Sequence, residues 1–399
     1  MSPHIFLVVG EESGDRLGAA LIAAIKQRTQ GRARFSCVGG THMTAEGVPS
    51  LFPLGDLAIV GFGGVLTRLP KIFRRIRETA DAVVSAKPDV LVIIDSPEFT
   101  HRVARAVRNR APEIPIVDYV CPSVWAWRPG RAPAMRAYID HVLALLPFEP
   151  KVLGELGGPP CTYVGHPLTE RLDELRPNEL EKRLRMADPP LLLVMPGSRT
   201  AEVRRMAPVF GAAVARVAKQ FGEIEAVVPA VPRLADAVRA AVASWPVPTR
   251  VVTETGEKNE AFRTARAALT KSGTSTLELA LAGVPMVAAY KVGLIEELAA
   301  RLLVNVPSVI LANLALGENI VPEFIQRDCT AERLATALLP LLADTPERRR
   351  QIDAFARLDG IMEIGTARPG DRAAALVLDC ATKKGHLLRE TGISALSQS

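Results

Sequence analysis

The hydrophobic positions of this chain fall into short continuous runs, and stretches with helical spacing of apolar residues separate most of these runs. The runs have the length of strands, and we predict strands at residues 5–9, 90–94, 115–120, 141–146, 191–195, 224–229, 249–253, 267–270 and 286–290. The intervening stretches predict helices at residues 16–28, 100–110, 201–220, 232–243, 258–266 and 276–282, with closing helices at 331–343 and 346–358. Strands that are apolar on both faces and alternate with helices are typical of a parallel sheet covered on both sides. The pattern therefore predicts an α/β fold.

The strand–helix units form two successive series, and the chain length supports two domains. At 399 residues the chain has room for two domains of about 150–200 residues each. A charged stretch at residues 165–190 separates the two series. We predict that residues 1–168 and 169–355 form two Rossmann-like domains that face each other across a cleft. Residues 356–399 are predicted to hold a C-terminal helix and then a polar tail, and the sequence leaves open whether this helix crosses back to the first domain.

Composition and net charge indicate which kinds of binding partner this protein can have. The net charge of +6 and the pI near 9.2 fit an anionic partner, whether a phosphate, a nucleic acid or a membrane surface. Four tyrosines and scattered arginines argue against a surface on which nucleic-acid bases stack. Five cysteines lie far apart without a CxxC motif, which argues against disulfides or a zinc site and favours a reducing cytosol. We find neither a signal peptide nor an apolar run of about 18 residues that could span a membrane.

Two loops that follow predicted strands have the residues of an anion-binding seat. Loop 272–274 reads Ser-Gly-Thr, and loop 196–199 reads Pro-Gly-Ser-Arg. Small side chains let backbone N–H groups at the positive end of a helix approach a phosphate closely. Glu278 lies further along its helix and can accept hydrogen bonds from a ribose, while Arg199, held by Glu202, can neutralise a departing diphosphate. The sequence predicts a seat for a nucleoside diphosphate, and the plain alternative is an ordinary helix N-cap at each loop.

Transfer to a hydroxyl group needs a general base, and acidic residues follow several predicted strands. Asp95 and Glu98 lie just past strand 90–94, and Glu11, Asp15 and Glu149 are further acids at strand ends. The chain has no Asp-x-Asp motif and no His/Cys cluster, so we predict no metal cofactor. Arginine, lysine and backbone dipoles are then expected to stabilise the leaving group.

One segment breaks the strand–helix pattern. It begins with the apolar, glycine-rich residues 61–66 and continues with helical spacing of apolar residues. The side chains predicted to form a membrane patch are Val65, Leu66, Leu69, Ile72 and Phe73. The cations between them are Arg68, Lys71, Arg74, Arg75 and Arg77. This mixture suits insertion into an anionic membrane surface, and the alternative is a helix with a core stripe and a solvated basic face.

Short motifs along the chain resemble, in order and spacing, those of the lipid-A-disaccharide synthase family, from the N-terminus to about residue 380. The motifs are Gly10-Glu11-x-Ser13-Gly14-Asp15, Pro122-Ser123-Val124-Trp125-Ala126-Trp127-Arg128, Leu146-Pro147-Phe148-Glu149, Val164-Gly165-His166-Pro167-Leu168, Pro196-Gly197-Ser198-Arg199, Ser272-Gly273-Thr274, and Asn313 with Val321-Pro322-Glu323. The resemblance implies a GT-B fold and an inverting glycosyl transfer. In this reaction a 2,3-diacylglucosamine moves from UDP to the 6-hydroxyl group of 2,3-diacylglucosamine 1-phosphate, giving the β(1→6) disaccharide and UDP.

The resemblance also implies residue roles. One Asp of the family's Ile-Asp-Ala-Pro-Asp-Phe stretch is held to be needed for catalysis. The second acid of this stretch is Glu98 in this chain, so Asp95 and Glu98 both remain candidates for the general base. Arg199 is the residue implied to act at the leaving group. The implied UDP contacts are Gly197, Ser198, Arg199, Glu202, Ser272, Gly273, Thr274, Glu278, Asn313 and Glu323. The implied acceptor contacts are Ser13, Asp15, Trp127 and Arg128. The chain departs from the family where Pro-Asn-Leu reads Ala312-Asn313-Leu314 and where Gly-Arg-Glu reads Gly317-Glu318-Asn319.

The resemblance further implies no cofactor, no nucleic-acid partner and a peripheral position on the cytoplasmic face of the inner membrane. The sequence leaves open the acyl-chain length and whether the chain forms a homodimer. Two other functions remain open. A UDP-N-acetylglucosamine 2-epimerase has a similar two-domain fold but needs no lipid acceptor, and a peripheral membrane adaptor would retain the nucleotide loops without activity.

Overall fold

A computed structural model describes residues 2–57, 65–293, 308–364 and 367–396 of the chain, without side chains at 65–69 and 383–396. The chain divides into two compact units. The first contains residues 1–167 and 365–399, and the second contains residues 168–364.

The first unit is built on a parallel sheet that has, in the described residues, the strand order β2-β1-β3-β4-β5-β6. Its strands are β1 (His4–Val9), β2 (Arg34–Val38), β3 (Val90–Ile94), β4 (Ile116–Tyr119), β5 (His141–Ala144) and β6 (Cys161–Tyr163). Its first helices are α1 (Glu12–Thr29), α2 (Thr41–Ala45), α3 (Val65–Ala86), α4 (Pro97–Arg108), α5 (Arg131–Met135) and α6 (Glu149–Glu155). The strand order reverses beside β1, so the loops after β1 and β3 lie at a topological switch point, where such sheets bind ligands.

The second unit repeats this plan, with the strand order β12-β11-β10-β7-β8-β9 in its described part. Its strands are β7 (Leu191–Met195), β8 (Glu225–Pro229), β9 (Thr249–Val252), β10 (Ala267–Lys271), β11 (Met286–Tyr290) and β12 (Glu323–Ile325). Its helices are α7 (Leu172–Leu175), α8 (Glu179–Arg185), α9 (Thr200–Phe221), α10 (Ala235–Val242), α11 (Thr255–Thr264), α12 (Ser275–Leu281), α13 (Leu311–Leu316), α14 (Ala331–Leu342), α15 (Pro346–Ala356) and α16 (Leu358–Ile361). Here the order reverses between β7 and β10.

The final helix, α17 (Pro369–Leu396), belongs to the first unit. Ala373, Ala374 and Val377 are buried in the same hydrophobic core as Leu21 and Ile25 of α1. Small side chains on α17 let the two helices approach closely, and this burial fixes the helix on the first sheet. The sequence left the position of this helix open.

The hydrophobic pattern predicts the interior strands and misses most edge strands. Strands β3, β7 and β11 coincide with the predicted strands at 90–94, 191–195 and 286–290. The pattern gives no strand at β2, β6 or β12, and each of these lies at an edge of its sheet. An edge strand pairs on one side only and keeps exposed or half-buried positions, so it lacks a continuous apolar run.

Candidate functional site

In the second unit, the loops after β7 and β10 begin side by side. The two strands pair in parallel, with Met195 opposite Thr270 near their carboxyl ends. Loop 196–199 therefore starts next to Lys271 and loop 272–274, where the strand order of this sheet reverses. Ligands of open parallel sheets bind at such positions. The structure thus brings together the two loops from which the sequence predicts an anion-binding seat.

The buried carboxylate of Glu202, in the first turn of α9, holds these two loops. Its Oε2 accepts hydrogen bonds from the backbone N–H groups of Ser198 at 3.0 Å and Arg199 at 3.3 Å. Its Oε1 accepts a hydrogen bond from the Arg199 guanidinium group at 3.3 Å and lies 3.2 Å from Nζ of Lys271. Gly197 permits this approach, because its φ is +128° and a Cβ there would lie 2.6 Å from the Glu202 side chain. One carboxylate therefore fixes two cations.

Glu202 is held in its ionised form. Burial is the largest influence and would raise its pKa, but Lys271, the N–H group of Ser198 and Arg199 together outweigh burial and lower the pKa. Two cations around one carboxylate leave a net positive charge at the carboxyl ends of β7 and β10. Such a charge suits a ligand with several negative charges.

Arg199 presents its charge through its side chain. The sequence predicts that backbone N–H groups of loop 196–199 bind an anion, but those of Ser198 and Arg199 already donate to Glu202. The Arg199 side chain is 76% exposed although it contacts Glu202. This loop therefore offers a guanidinium group at its surface, and the predicted UDP contacts of Gly197, Ser198 and Arg199 stay predictions.

The loop after β10 is held on its other side by Glu323. The Ser272 hydroxyl donates to Oε1 of Glu323 at 3.2 Å, and the Ser308 hydroxyl donates to its Oε2 at 3.1 Å. Within the described part of the chain, the N–H groups of Gly273 and Thr274 donate no hydrogen bond. Ser272 and Glu323 therefore shape the loop, and Gly273 and Thr274 keep their N–H groups available.

Asn313 and Glu278 are both buried and bound to groups of the protein. The Asn313 amide donates to the carbonyl oxygen of Val321 at 3.0 Å and accepts from the N–H groups of Ile320 at 3.1 Å and Val321 at 2.9 Å. Asn313 thus fixes the chain that leads to Glu323. The Glu278 carboxylate is paired with Nζ of Lys258 at 3.0 and 3.1 Å. A ribose contact of Glu278 stays a prediction.

In the first unit, Asp95 lies in a turn at the carboxyl end of β3. Asp95 and Ser96 have φ values of +56° and +47°, which are uncommon for consecutive residues other than glycine. The Asp95 carboxylate accepts hydrogen bonds from the N–H group of Ser96 at 2.7 Å and the hydroxyl of Ser13 at 3.0 Å. Gly10 permits the close approach, since a Cβ at Gly10 would lie 2.4 Å from Cβ of Ser96. The loops after β1 and β3 therefore meet at Asp95.

A cavity of about 170 Å³ lies beside Asp95 at the ends of β3 and β4. Its polar and aromatic lining residues are Asp95, His101, Asp118, Ser123, Trp127 and Arg131. Glu98 is not part of the lining. Of the two acids between which the sequence could not choose, Asp95 is the one that borders this cavity.

Glu98 lies among arginines on the surface. Its side chain is 61% exposed and accepts a hydrogen bond from Arg131 at 2.5 Å, with guanidinium groups of Arg102 at 3.6 Å and Arg128 at 3.8 Å. The hydrogen bond from Arg131 is the main cause that lowers the pKa of Glu98. A carboxylate with a lowered pKa accepts protons less readily. Arg128 and Arg131 also lie over the ring of Trp127, at 4.4 and 5.4 Å from its centre.

A buried His–Asp pair forms part of the cavity wall and was not found by the sequence reasoning. Nε2 of His101 lies 3.0 Å from Oδ2 of Asp118, and its Nδ1 lies 3.1 Å from the Tyr138 hydroxyl. Burial is the main cause that raises the pKa of Asp118, and His101 opposes this effect. The one available signal was Asp118 itself, an acid inside the apolar strand β4.

Asp15, predicted to contact the acceptor, is buried and caps α2. Its carboxylate accepts hydrogen bonds from the N–H groups of Gly40 at 2.7 Å, His42 at 2.9 Å and Met43 at 3.2 Å. These bonds satisfy donors at the start of α2. Asp15 thus fixes the loop after β2, and an acceptor contact stays a prediction.

The predicted membrane patch lies partly outside the described residues. Residues 58–64 are outside them, and so are the side chains of Val65, Leu66 and Leu69 on α3. Ile72 is half-buried against the hydrophobic core, whereas Phe73 is 53% exposed. The cations of this helix differ in the same way. Lys71 and Arg75 form ion pairs with Asp56, whereas Arg74 and Arg77 are exposed to solvent. None of the helices in the described part of the chain combines the length and hydropathy needed to span a bilayer.

Glu149 is a buried acid that contacts Trp125. The indole N–H of Trp125 donates to Glu149 at 3.2 Å, and the N–H group of Leu146 donates at 2.9 Å. The Trp125 ring also packs edge-on against Phe148, with 5.2 Å between ring centres. Burial raises the pKa of Glu149 to about 7, although both donors favour the charged form.

The comparisons with known proteins agree over nearly the whole chain. A family model described as lipid-A-disaccharide synthetase matches residues 5–366. A lipid-A-disaccharide synthase of Nitrobacter hamburgensis is 58% identical over 95% of this chain and 96% of the relative. A lipid-A-disaccharide synthase of Rhodospirillum centenum is 42% identical over 95% of each chain.

Solved structures with the same fold are much more distant in sequence. MurG of Acinetobacter baumannii has a TM-score of 0.59 at 15% identity and covers 94% of this chain and 99% of its own. UDP-GlcNAc 2-epimerase of Neisseria meningitidis, bound to UDP-GlcNAc, has a TM-score of 0.58 at 13% identity, covering 95% and 100%. At such identities the likeness concerns the fold alone. Together with the two parallel sheets, it confirms the predicted α/β fold of GT-B type.

Replacing Glu149 with glutamine is expected to remove a loss of stability that the wild type undergoes as the pH rises toward 7. The folded-state pKa of about 7 lies above the ordinary value of 4.5, so the folded protein loses stability as the pH rises between these values. The loss amounts to about 3 kcal/mol once the side chain is ionised in both states. Unfolding temperatures from pH 4 to 8 should show a difference between Glu149→Gln and the wild type that shifts in favour of the variant as the pH rises and levels off above 7. The amide accepts at one oxygen only, which adds a cost that does not depend on pH.

The control for this measurement is Glu155→Gln, at an exposed position of the same helix. We expect its unfolding temperature to follow that of the wild type across the same pH range. A difference between Glu149→Gln and the wild type that does not change with pH would contradict the assignment.

Proposed function

The chain belongs to the lipid-A-disaccharide synthetase family, and from this membership we propose that it transfers a 2,3-diacylglucosamine from UDP to 2,3-diacylglucosamine 1-phosphate. The acceptor is the 6-hydroxyl group, and the products are the β(1→6) disaccharide 1-phosphate and UDP. Membership of the family makes the chain a glycosyltransferase. The observation that carries the proposed reaction is the pair of cations that Glu202 fixes at the ends of β7 and β10.

The whole-chain match favours this function over the two alternatives. The relatives that share most of this sequence are synthases, whereas the epimerases share 12–14% of their residues with it. MnaA of S. aureus was solved with UDP, and the Neisseria epimerase with UDP-GlcNAc. These neighbours support a nucleotide-sugar donor for the common fold, and the family name supports the lipid acceptor.

We place the donor nucleotide in the second unit. A diphosphate carries the negative charge that the exposed Arg199 guanidinium group can bind. The N–H groups of Gly273 and Thr274 offer further donors on the neighbouring loop. Ser272, Asn313 and Glu323 act through the shape of that loop, since their hydrogen bonds go to the protein.

We assign the general base to Asp95. It borders the cavity, and its charge is balanced by two hydrogen bonds, from Ser13 and the N–H group of Ser96. Glu98 is exposed and neutralised by three arginines, which makes it a weaker proton acceptor than an unpaired glutamate.

The reaction then runs as a single displacement. The 6-hydroxyl oxygen attacks the anomeric carbon on the face opposite UDP, and the bond from that carbon to the diphosphate oxygen breaks. The hydroxyl proton passes to Asp95, and the charge that develops on the diphosphate is stabilised by Arg199. Attack from the opposite face inverts the anomeric configuration.

The acceptor carries a 1-phosphate, for which Arg128 and Arg131 are the cations we propose. Both guanidinium groups lie over Trp127, which orients them, and Arg131 lines the cavity beside Asp95. Glu98 holds both arginines in place in this arrangement. Among the described residues, Glu98 is the one carboxylate paired with Arg102, Arg128 and Arg131, so the phosphate would join a cluster with excess positive charge.

The substitution Asp95→Asn is expected to lower kcat for disaccharide formation by about 10²–10⁴-fold, because the amide that replaces the carboxylate cannot accept the proton. The measurement uses both lipid substrates and detects the disaccharide product. Glu98→Gln is the comparison variant. Because Glu98 positions Arg128 and Arg131, this change should raise the KM for the acceptor while kcat stays close to that of the wild type. A larger fall in kcat for Glu98→Gln than for Asp95→Asn would reverse the assignment of the base.

We also propose that α3 brings the chain to the cytoplasmic membrane surface, where the acyl chains of both substrates remain. Phe73 is exposed beside the exposed cations Arg74 and Arg77, a combination that suits an anionic bilayer. Phe73→Ser should reduce the fraction of protein that sediments with vesicles containing anionic lipid. Leu180→Ser removes an even more exposed apolar side chain, in the second unit, and should leave that fraction unchanged. Equal sedimentation of Phe73→Ser and the wild type would exclude a role for this residue.

A further inference from the structure

Lys271 is a cation of the nucleotide site to which the family motifs assign no role. It is the last residue of β10 and directly precedes loop 272–274. Its side chain is 19% exposed, so the ammonium group is mostly enclosed but still reachable. We propose that Lys271 binds the diphosphate of the donor as a second cation beside Arg199. This inference rests on the proposed function and extends it.

The position of the ammonium group follows from three contacts. Nζ lies 3.2 Å from Oε1 of Glu202 and 4.7 Å from the ring centre of Tyr290 on β11. A Cβ placed on Gly273 would lie 3.4 Å from Nζ. The side chain therefore extends over the glycine loop, and the absence of a side chain at Gly273 leaves space between the amine and the loop backbone.

The charges around Lys271 favour an anion at this place. Oε1 of Glu202 is shared with Arg199, so a single carboxylate serves two cations. The face of Tyr290 adds only the partial negative charge of its ring. An ammonium group has three donors, and the contact with Glu202 uses one of them. The remaining donors and the uncompensated charge suit a phosphate oxygen.

Preorganisation makes the contact effective. Glu202 and Tyr290 hold a flexible lysine in one place before a ligand arrives, so less side-chain entropy is lost on binding. The same fixed charge is positioned to stabilise the diphosphate as its negative charge grows during departure. Lys271 would thus contribute to binding of the donor and to release of the leaving group.

A simpler role for Lys271 is to support Glu202 without touching the ligand. A neutral hydrogen-bond donor could replace lysine if its role were only to support Glu202, but not if its positive charge binds the diphosphate. The amide of Lys271→Gln can still donate to Glu202 but carries no charge, whereas Lys271→Met can do neither. Support alone predicts UDP binding by the glutamine variant at wild-type strength.

The experiment is calorimetric titration of the full-length wild type, Lys271→Gln and Lys271→Met with UDP and, separately, with uridine. We expect both variants to bind UDP about 10-fold to 100-fold more weakly, which is the effect of losing one charge-assisted hydrogen bond. Uridine lacks phosphates, and its affinity should stay unchanged. The control is Arg204→Met, which removes an exposed cation two residues after Glu202 on α9. This variant should bind UDP like the wild type.

The outcomes separate the inference from the proposed function. Wild-type affinity of Lys271→Gln for UDP would overturn the inference, and so would an equal loss of UDP and uridine binding, since that would indicate a distorted site. If the wild type binds no UDP, the proposed function itself fails, and the inference fails with it.

Discussion

The buried carboxylate of Glu202 is the interaction on which the second unit's chemistry depends. It accepts hydrogen bonds from the N–H groups of Ser198 and Arg199, just before α9. It also holds the charges of Arg199 and Lys271 around one oxygen atom. Without it, two like charges at neighbouring strand ends would repel each other and move into solvent. With it, positive charge remains concentrated where the strand order reverses. Gly197 is required for the same reason, because a side chain there would occupy the space of Glu202.

The acidic residues of the first unit differ in their hydrogen-bond and ion-pair partners. Asp95 stays beside a cavity with hydrogen bonds from Ser13 and Ser96, Glu98 is neutralised by arginines, and Asp15 is buried as a helix cap. All three follow strands, so their position along the chain does not show how their surroundings differ. Only their neighbours, which come from distant parts of the chain, give them different chemistry. The uncommon backbone of Asp95 and Ser96 persists because Gly10 lets the two loops pack together.

The sequence could predict the fold class and the loops of the site, because both depend on local patterns. Buried strands are apolar along their whole length, and loops at the carboxyl ends of parallel strands lie along one edge of the sheet. Edge strands such as β12 were missed, since half of their surroundings are solvent. The contacts that involve Lys271 and His101 were missed because they depend on strand order and on side-chain direction. The placement of α17 likewise depends on small residues that fit α1, which helical spacing alone does not reveal.

We propose that side-chain cations of this chain, fixed by Glu202, stabilise the departing diphosphate without a metal ion. The most direct measurement is the initial rate of disaccharide formation by the wild type after treatment with a chelator, compared with the rate in magnesium. The account predicts equal rates in the two conditions. A rate that vanishes in chelator and returns when magnesium is added would contradict it.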